Sequence, residues 1–237
     1  VGTYTINAHV FLPIGVSLMG EGDNTILLGN YYTASESYGI VSLYSYPSQG
    51  VNGNQSISHL QFDGQDETAY AAIVVFGRSN VKIHDVYIHD FKVIGIYLRG
   101  GCVRSGGYEG NVGAAPSTYE TGNEIYNCRL INNGNNIQLN SQSDPIIHDN
   151  IITETKSHSP GSYGHIVAGW GEWFKGLKFY NNTCRKALID PDGNWNFHFE
   201  VGTTHGGNEV YNNVFYNGTA LDIASWENLK GAYDYSW

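Results

Sequence analysis

A histidine and two carboxyls occupy alternating positions in two short segments late in the chain: Phe197, His198, Phe199, Glu200, then Leu221, Asp222, Ile223, Ala224. Period-two alternation marks a strand with one face in a core, so His198, Glu200 and Asp222 project from the other face. Paired carboxyls are what glycoside cleavage uses, one as acid and the other on the opposite face of the sugar. If the two segments are neighbouring strands aligned from their first residues, His198 stands beside Asp222 at about 4.8 Å. Glu200 then lies diagonally from Asp222 at roughly 8 Å, within the ~6.5–9.5 Å of inverting glycosidases. The other reading is a polar ladder on a solvated strand.

Similar segments recur earlier: I-V-V-F (73–76), I-Y-L-R (96–99), I-Q-L-N (137–140) and I-V-A-G (166–169). Stacked, they present Tyr97, Arg99, Gln138 and Asn140 on the same outer face, with Trp170 and Trp226 at its margin. Aromatic planes beside amides and carboxyls suit a sugar chain, which offers apolar faces and hydroxyl rims. Tyr97, Gln138, Asn140, Trp170 and Trp226 are therefore the expected polysaccharide contacts. The long insertions at about 100–121, 154–164 and 187–195 adjoin these segments, and loops gathered on one side of a repeat usually mark its binding side.

The element that must hold such a face is a repeat. S-I-S-H-L-Q-F-D (56–63), K-I-H-D-V-Y-I-H (82–89), E-I-Y-N-C-R-L-I (124–131), I-I-H-D-N-I-I-T (146–153), K-F-Y-N-N-T-C-R (178–185) and E-V-Y-N-N-V-F-Y (209–216) share one template. Their anchors Ile57, Ile83, Ile125, Ile147, Phe179 and Val210 are separated by 26, 42, 22, 32 and 31 residues, a rung of about 22–26 with insertions. A rung of three short strands cannot bury its apolar face alone, but stacked rungs can. The expected fold is all-β: a single-stranded right-handed parallel β-helix of about seven rungs, one domain over residues 1–237. In that register the anchors are buried and aligned. His59, Asp85, Asn127, Asp149, Asn181 and Asn212 share a corner where Asn and Asp tolerate left-handed backbone, and a buried amide ladder is expected there. The preceding column, Ser58, His84, Tyr126, His148, Tyr180 and Tyr211, is expected to stack.

Composition sets limits. Hydrophobic residues make up 41% and charged residues 14%, and the net charge of −10 repels phosphate backbones, so nucleic acid is not an expected partner. No apolar run is long enough to span a membrane as a helix. Cys102, Cys128 and Cys184 have no zinc spacing, and three buried thiols are expected rather than a disulfide framework. His84 and His148 fall two rungs apart, about 9.6 Å, too far to share zinc, so no metal ligand is assigned. No cofactor is required. Asp190 and Asp192 in I-D-P-D-G-N offer oxygens for Ca2+, though D-P-D-G is also an ordinary turn.

The opening G-T-Y-T-I (2–6) and L-P-I-G-V-S-L-M-G-E-G (12–22), with the I-Y-N-N-type repeats, resemble right-handed β-helix proteins of the pectin-lyase-like superfamily from about residue 2 to 226. That resemblance implies the fold and an extracellular setting, secreted or at the cell surface. It leaves function open between polysaccharide lyases, glycoside hydrolases, epimerases and non-catalytic surface proteins. Lyases of this superfamily use a basic residue to take the proton beside a carboxylate, a part the resemblance offers to Arg99. Such helices usually carry covered end rungs. None is visible in this sequence, so the expectation is a longer protein or self-association through the end rungs. Two functions follow: a polysaccharide-degrading enzyme working along the third-strand groove, or a non-catalytic adhesin, tailspike-like or fibre-forming protein.

Overall fold

The computed structural model describes residues 1–33, 35, 37–65, 70–101, 116–155, 164–168, 173–185, 197–201, 206–216 and 222–223; for 154–155, 164–168, 197–201 and 222–223 it describes the backbone alone. All regular structure among them is strand, and every strand pairing is parallel. The chain is a parallel β-helix. Third strands stack into an eight-stranded sheet, from Val10–Phe11 at one end to Asp222–Ile223 at the other. First and second strands stack into a thirteen-stranded sheet folded at a corner, and a three-stranded sheet closes the remaining side. Eight stacked third strands exceed the expected seven rungs by one, because the short strand Val10–Phe11 pairs below Gly39–Tyr44.

The anchor register is as expected. Ile57 pairs with Ile83, Ile83 with Ile125, Ile125 with Ile147, Ile147 with Phe179, and Phe179 with Val210. Five of these six are fully buried, with Ile73, Ile96, Ile137, Leu98 and Leu139 of the third strands packed in the same core. Val210 departs from the expectation at 39% exposed, because among the described residues its strand is the last of its column and none in that sheet stacks above it.

The corner also differs. His59, Asp85, Asn127, Asp149, Asn181 and Asn212 all have φ between 51° and 56°, the left-handed region. Asn and Asp enter it at less cost than most residues. Yet Asn127, Asp149, Asn181 and Asn212 are exposed rather than buried. A left-handed residue breaks the in–out alternation and turns the following side chain inward. The inward ladder is therefore Asn150, Asn182 and Asn213, one position later, the first two buried and Asn213 half-buried. The Asn150 backbone N–H and side-chain amide both donate to Asn182 Oδ1 (3.0 and 2.9 Å), and Asn182 N–H donates to Asn213 Oδ1 at 2.8 Å. Below them Cys128 N–H donates to Asn150 Oδ1 at 2.9 Å.

Cys128 and Cys184 are buried free thiols, as expected, and burial pushes the Cys128 thiol up to about 12 and Cys184 higher still. Cys102 lies outside the described residues. No helix among the described residues is long and apolar enough to cross a membrane.

One further register differs. Ile166 pairs with Phe199, not Phe197, and Val167 with Glu200. Glu200 in turn pairs with Asp222. His198 is therefore not opposite Asp222, and the Glu200–Asp222 relation is direct, not diagonal. A slip of two residues keeps every side chain on its own face, so alternation alone cannot detect it.

Candidate functional site

The outer face of the third-strand sheet begins as the sequence suggests, with Val74 paired to Tyr97 and Tyr97 to Gln138. It is not open there. Tyr97, Gln138 and Asn140 are only 1%, 2% and 1% exposed. Ala71, Val74, Phe76, Ile94 and Tyr97 form a second apolar cluster, separate from the coil's interior. Outward position does not by itself mean exposure: outward residues as apolar as Val74 and Phe76 need cover as much as inward ones do. The expected contacts Tyr97, Gln138 and Asn140 thus belong to a closed layer. Arg99 lies at its edge, half-buried, with its guanidinium 4.6 Å from the Phe76 ring centre and 5.6 Å from that of Tyr97. Its Nη1 donates to Ser37 Oγ at 3.4 Å.

Toward the first turns the same face opens. Tyr44 pairs with Phe76, and Phe76 with Arg99. Around them gather His9, Phe11, Tyr38 and Tyr46, with ring-centre separations from 4.6 to 6.5 Å and mixed angles. Phe11 is 52% and Tyr46 42% exposed. Tilted and edge-to-face packing leaves ring faces turned to solvent, and an apolar ring face is what the apolar side of a sugar stacks on. The sequence reading missed this patch. Its signal is the alternation Ser42, Leu43, Tyr44, Ser45, Tyr46, a third-strand segment with aromatics at outward positions.

Behind this face lies an unanticipated carboxyl. Glu120 is fully buried and accepts a long 3.4 Å hydrogen bond from Gly50 N–H, and its Oε2 makes none. Gly100 makes room for it, since a Cβ there would run into the carboxyl and into Ser141. Burial raises Glu120 to about 8, so it holds its proton at neutral pH.

Of the expected catalytic residues, His198, Glu200 and Asp222 lie on strands of this sheet, Phe197–Val201 and Asp222–Ile223. The backbone sets Glu200 and Asp222 opposite one another. Trp170, Trp226, Asp190 and Asp192 lie outside the described residues.

The first-strand face is built differently. His84, Tyr126, His148, Tyr180 and Tyr211 stack as expected, 4.8–5.2 Å apart and within 6–8° of parallel. Regular stacking turns ring faces toward one another and only edges outward. Beside the stack runs an open groove of about 530 Å³, lined by His59, Asp85, Asn127 and Asp149 of the corner with Asp23 and Arg129 opposite. Asp23 and Arg129 are ion-paired, and the Arg129 guanidinium also covers Tyr87 at 4.3 Å. Next to the stack Glu124 meets Lys82 Nζ at 2.8 Å and His148 Nε2 at 3.0 Å. Burial works to raise this carboxyl, but the hydrogen bonds from Lys82 and His148 prevail and hold it low. Among the described residues, two groups of side chains have ligand atoms within 4.8 Å of one another: His59, His84 and Asp85, and Asp63, His89 and Asp90.

No family model matches the sequence, and no curated protein matches it. Among solved structures, the pre-mature gene product 12 of bacteriophage phi29 superposes with a TM-score of 0.60 at 17% identity, covering 93% of this chain. The chain spans 28% of that protein's length. At this identity the likeness shows a shared fold. An alginate lyase from Paenibacillus sp. str. FPU-7 (TM-score 0.37, 14% identity, 92% of this chain and 99% of that one) is more remote. So is the tailspike protein gp49 from Acinetobacter baumannii bacteriophage Fri1, a capsular polysaccharide depolymerase (0.36, 12%, 93% and 52%).

Proposed function

We propose that this chain binds a polysaccharide along the outer third-strand face and cleaves it hydrolytically at Glu200 and Asp222, outside the cell or at its surface. The observation that carries the reading is the open aromatic patch of Phe11, Tyr38, Tyr44 and Tyr46, continuous through Phe76 with Arg99. Its rings are irregularly tilted and partly exposed, which gives sugar faces a platform, while Arg99 supplies hydrogen-bond donors at its edge. The register supports a particular stereochemistry. Glu200 and Asp222 are direct backbone partners on strands about 4.8 Å apart, a shorter relation than the diagonal that suited the inverting range, and retention is the outcome proposed.

The test is a panel of neutral and anionic polysaccharides offered to the purified chain, following binding, new reducing ends and ultraviolet absorbance of unsaturated products. Binding with hydrolysis and retained anomeric configuration, abolished in Glu200→Gln with binding intact, is the expected result. Unsaturated products would replace hydrolysis by elimination. Binding without cleavage would favour a non-catalytic surface protein.

A further inference from the structure

We propose that His59, His84 and Asp85 bind a transition-metal dication, zinc being the simplest, at the rim of the corner groove. Three His-Asp pairs recur in this sheet, and their environments differ. In each, the histidine Nδ1 lies 2.6–2.7 Å from an oxygen of the following aspartate. A ring nitrogen and a carboxylate oxygen this close stand nearly as two donors of one metal ion do, so a dication can take the place of the proton they share. In His148 the other ring nitrogen, Nε2, is engaged by Glu124 at 3.0 Å, and in His89 by the Gln61 amide at 2.7 Å, so both rings are tied down on two sides. Among the described residues, no hydrogen bond reaches Nε2 of His84.

His59 supplies the second imidazole. It sits on the adjacent turn with its ring edge-on to His84 at 5.7 Å, exposed, and makes no side-chain hydrogen bond among the described residues. One ligand atom from each of His59, His84 and Asp85 lies within 4.8 Å of the other two. Zinc holds its ligands at about 2.0–2.1 Å, so tetrahedral donors stand roughly 3.3 Å apart. The exposed His59 closes that gap by side-chain rotation, while stacking on Tyr126 keeps His84 in place. His59 and Asp85 both line the groove, so the remaining coordination position faces its solvent and takes water or an oxygen ligand. The competing group, Asp63, His89 and Asp90, is already occupied internally. Asp63 accepts from Gln65 N–H at 2.9 Å and Asp90 from Asn132 Nδ2 at 2.6 Å.

The test is calorimetric titration of the purified chain with Zn2+ alone, with Co2+ absorption reporting coordination. One Zn2+ per chain is expected for the parent. His59→Asn keeps a residue suited to left-handed backbone, the type found at Asn127, Asn181 and Asn212, and should weaken binding about tenfold or more. His84→Gln should do the same, and His148→Gln should leave affinity unchanged, with thermal melts confirming that each variant folds. Co2+ spectra should show nitrogen ligation that is lost in His59→Asn. No saturable binding, equal affinity in the parent and His59→Asn, or Ca2+ binding as tightly as Zn2+ would each overturn the assignment.

Discussion

Glu120 and Glu124 are four residues apart, and the fold treats them in opposite ways. Glu120, on the three-stranded sheet and against Gly100 and Ser141 at the ends of the third strands, is buried with one long backbone hydrogen bond and is raised to about 8. Glu124, on the first-strand side, is tied to Lys82 and His148 and held low. The aromatic rings divide in the same way. On the first-strand side they stack within 6–8° of parallel and use up one another's faces. On the third-strand side they tilt at 28–88° and leave faces to solvent. The first-strand side is mostly construction, with Glu124 and the stacked rings satisfied internally and the His59 rim as its exception. The other carries the unsatisfied carboxyl and the open rings, and that imbalance is what a ligand could relieve.

The largest expected effect separates the two carboxyls by pH. Below about pH 4.5 Glu120 is protonated both folded and unfolded and imposes no penalty. Between there and about 8 only the unfolded chain releases the proton, so stability falls as pH rises, and above about 8 the loss is complete. The full loss is about 5 kcal/mol. Glu120→Gln should remove this component, so urea melts from acidic to alkaline pH should show the variant gaining on the parent as pH rises. A constant difference would mean that Glu120 titrates alike in the folded and unfolded chain.

Next comes the amide ladder of the construction side. Asn182→Ala strands hydrogen-bond partners at Asn150, Ile147 and Asn213 and should cost about 3 kcal/mol, lowering Tm by roughly 6–12 °C. Asn181→Ala, exposed at φ 55°, should cost only about 1 kcal/mol for placing alanine in left-handed backbone. Equal losses would return the ladder to the corner residues. Smaller still, Tyr126→Leu breaks the stack between His84 and His148 and should cost about 1 kcal/mol, read as a small drop in Tm.

Much of this architecture was legible in sequence because it repeats. The anchors from Ile57 to Phe179, the left-handed corner and the ring column all recur at fixed template positions, and each recurrence is a further check on register. The ladder was misplaced by one residue because a template shows which position recurs but not which way a left-handed turn points the next side chain. The Phe197–Val201 strand slipped by two because either alignment preserves alternation. The candidate site was less legible. Whether outward residues such as Tyr97 and Gln138 are open depends on what packs over them, and that varies from turn to turn. Glu120 stands beside an insertion, and His59 gains its meaning only from the turn above.

The most direct test of the division between the two faces is the affinity of the best polysaccharide from the panel for two variants. Phe11→Ala combined with Tyr46→Ala removes two open ring faces and should weaken binding about tenfold or more, with Tm nearly unchanged. Tyr126→Leu should lower Tm while leaving affinity as in the parent. The opposite pattern, with affinity lost in Tyr126→Leu and kept in the double variant, would put the glycan on the stacked face and contradict the account.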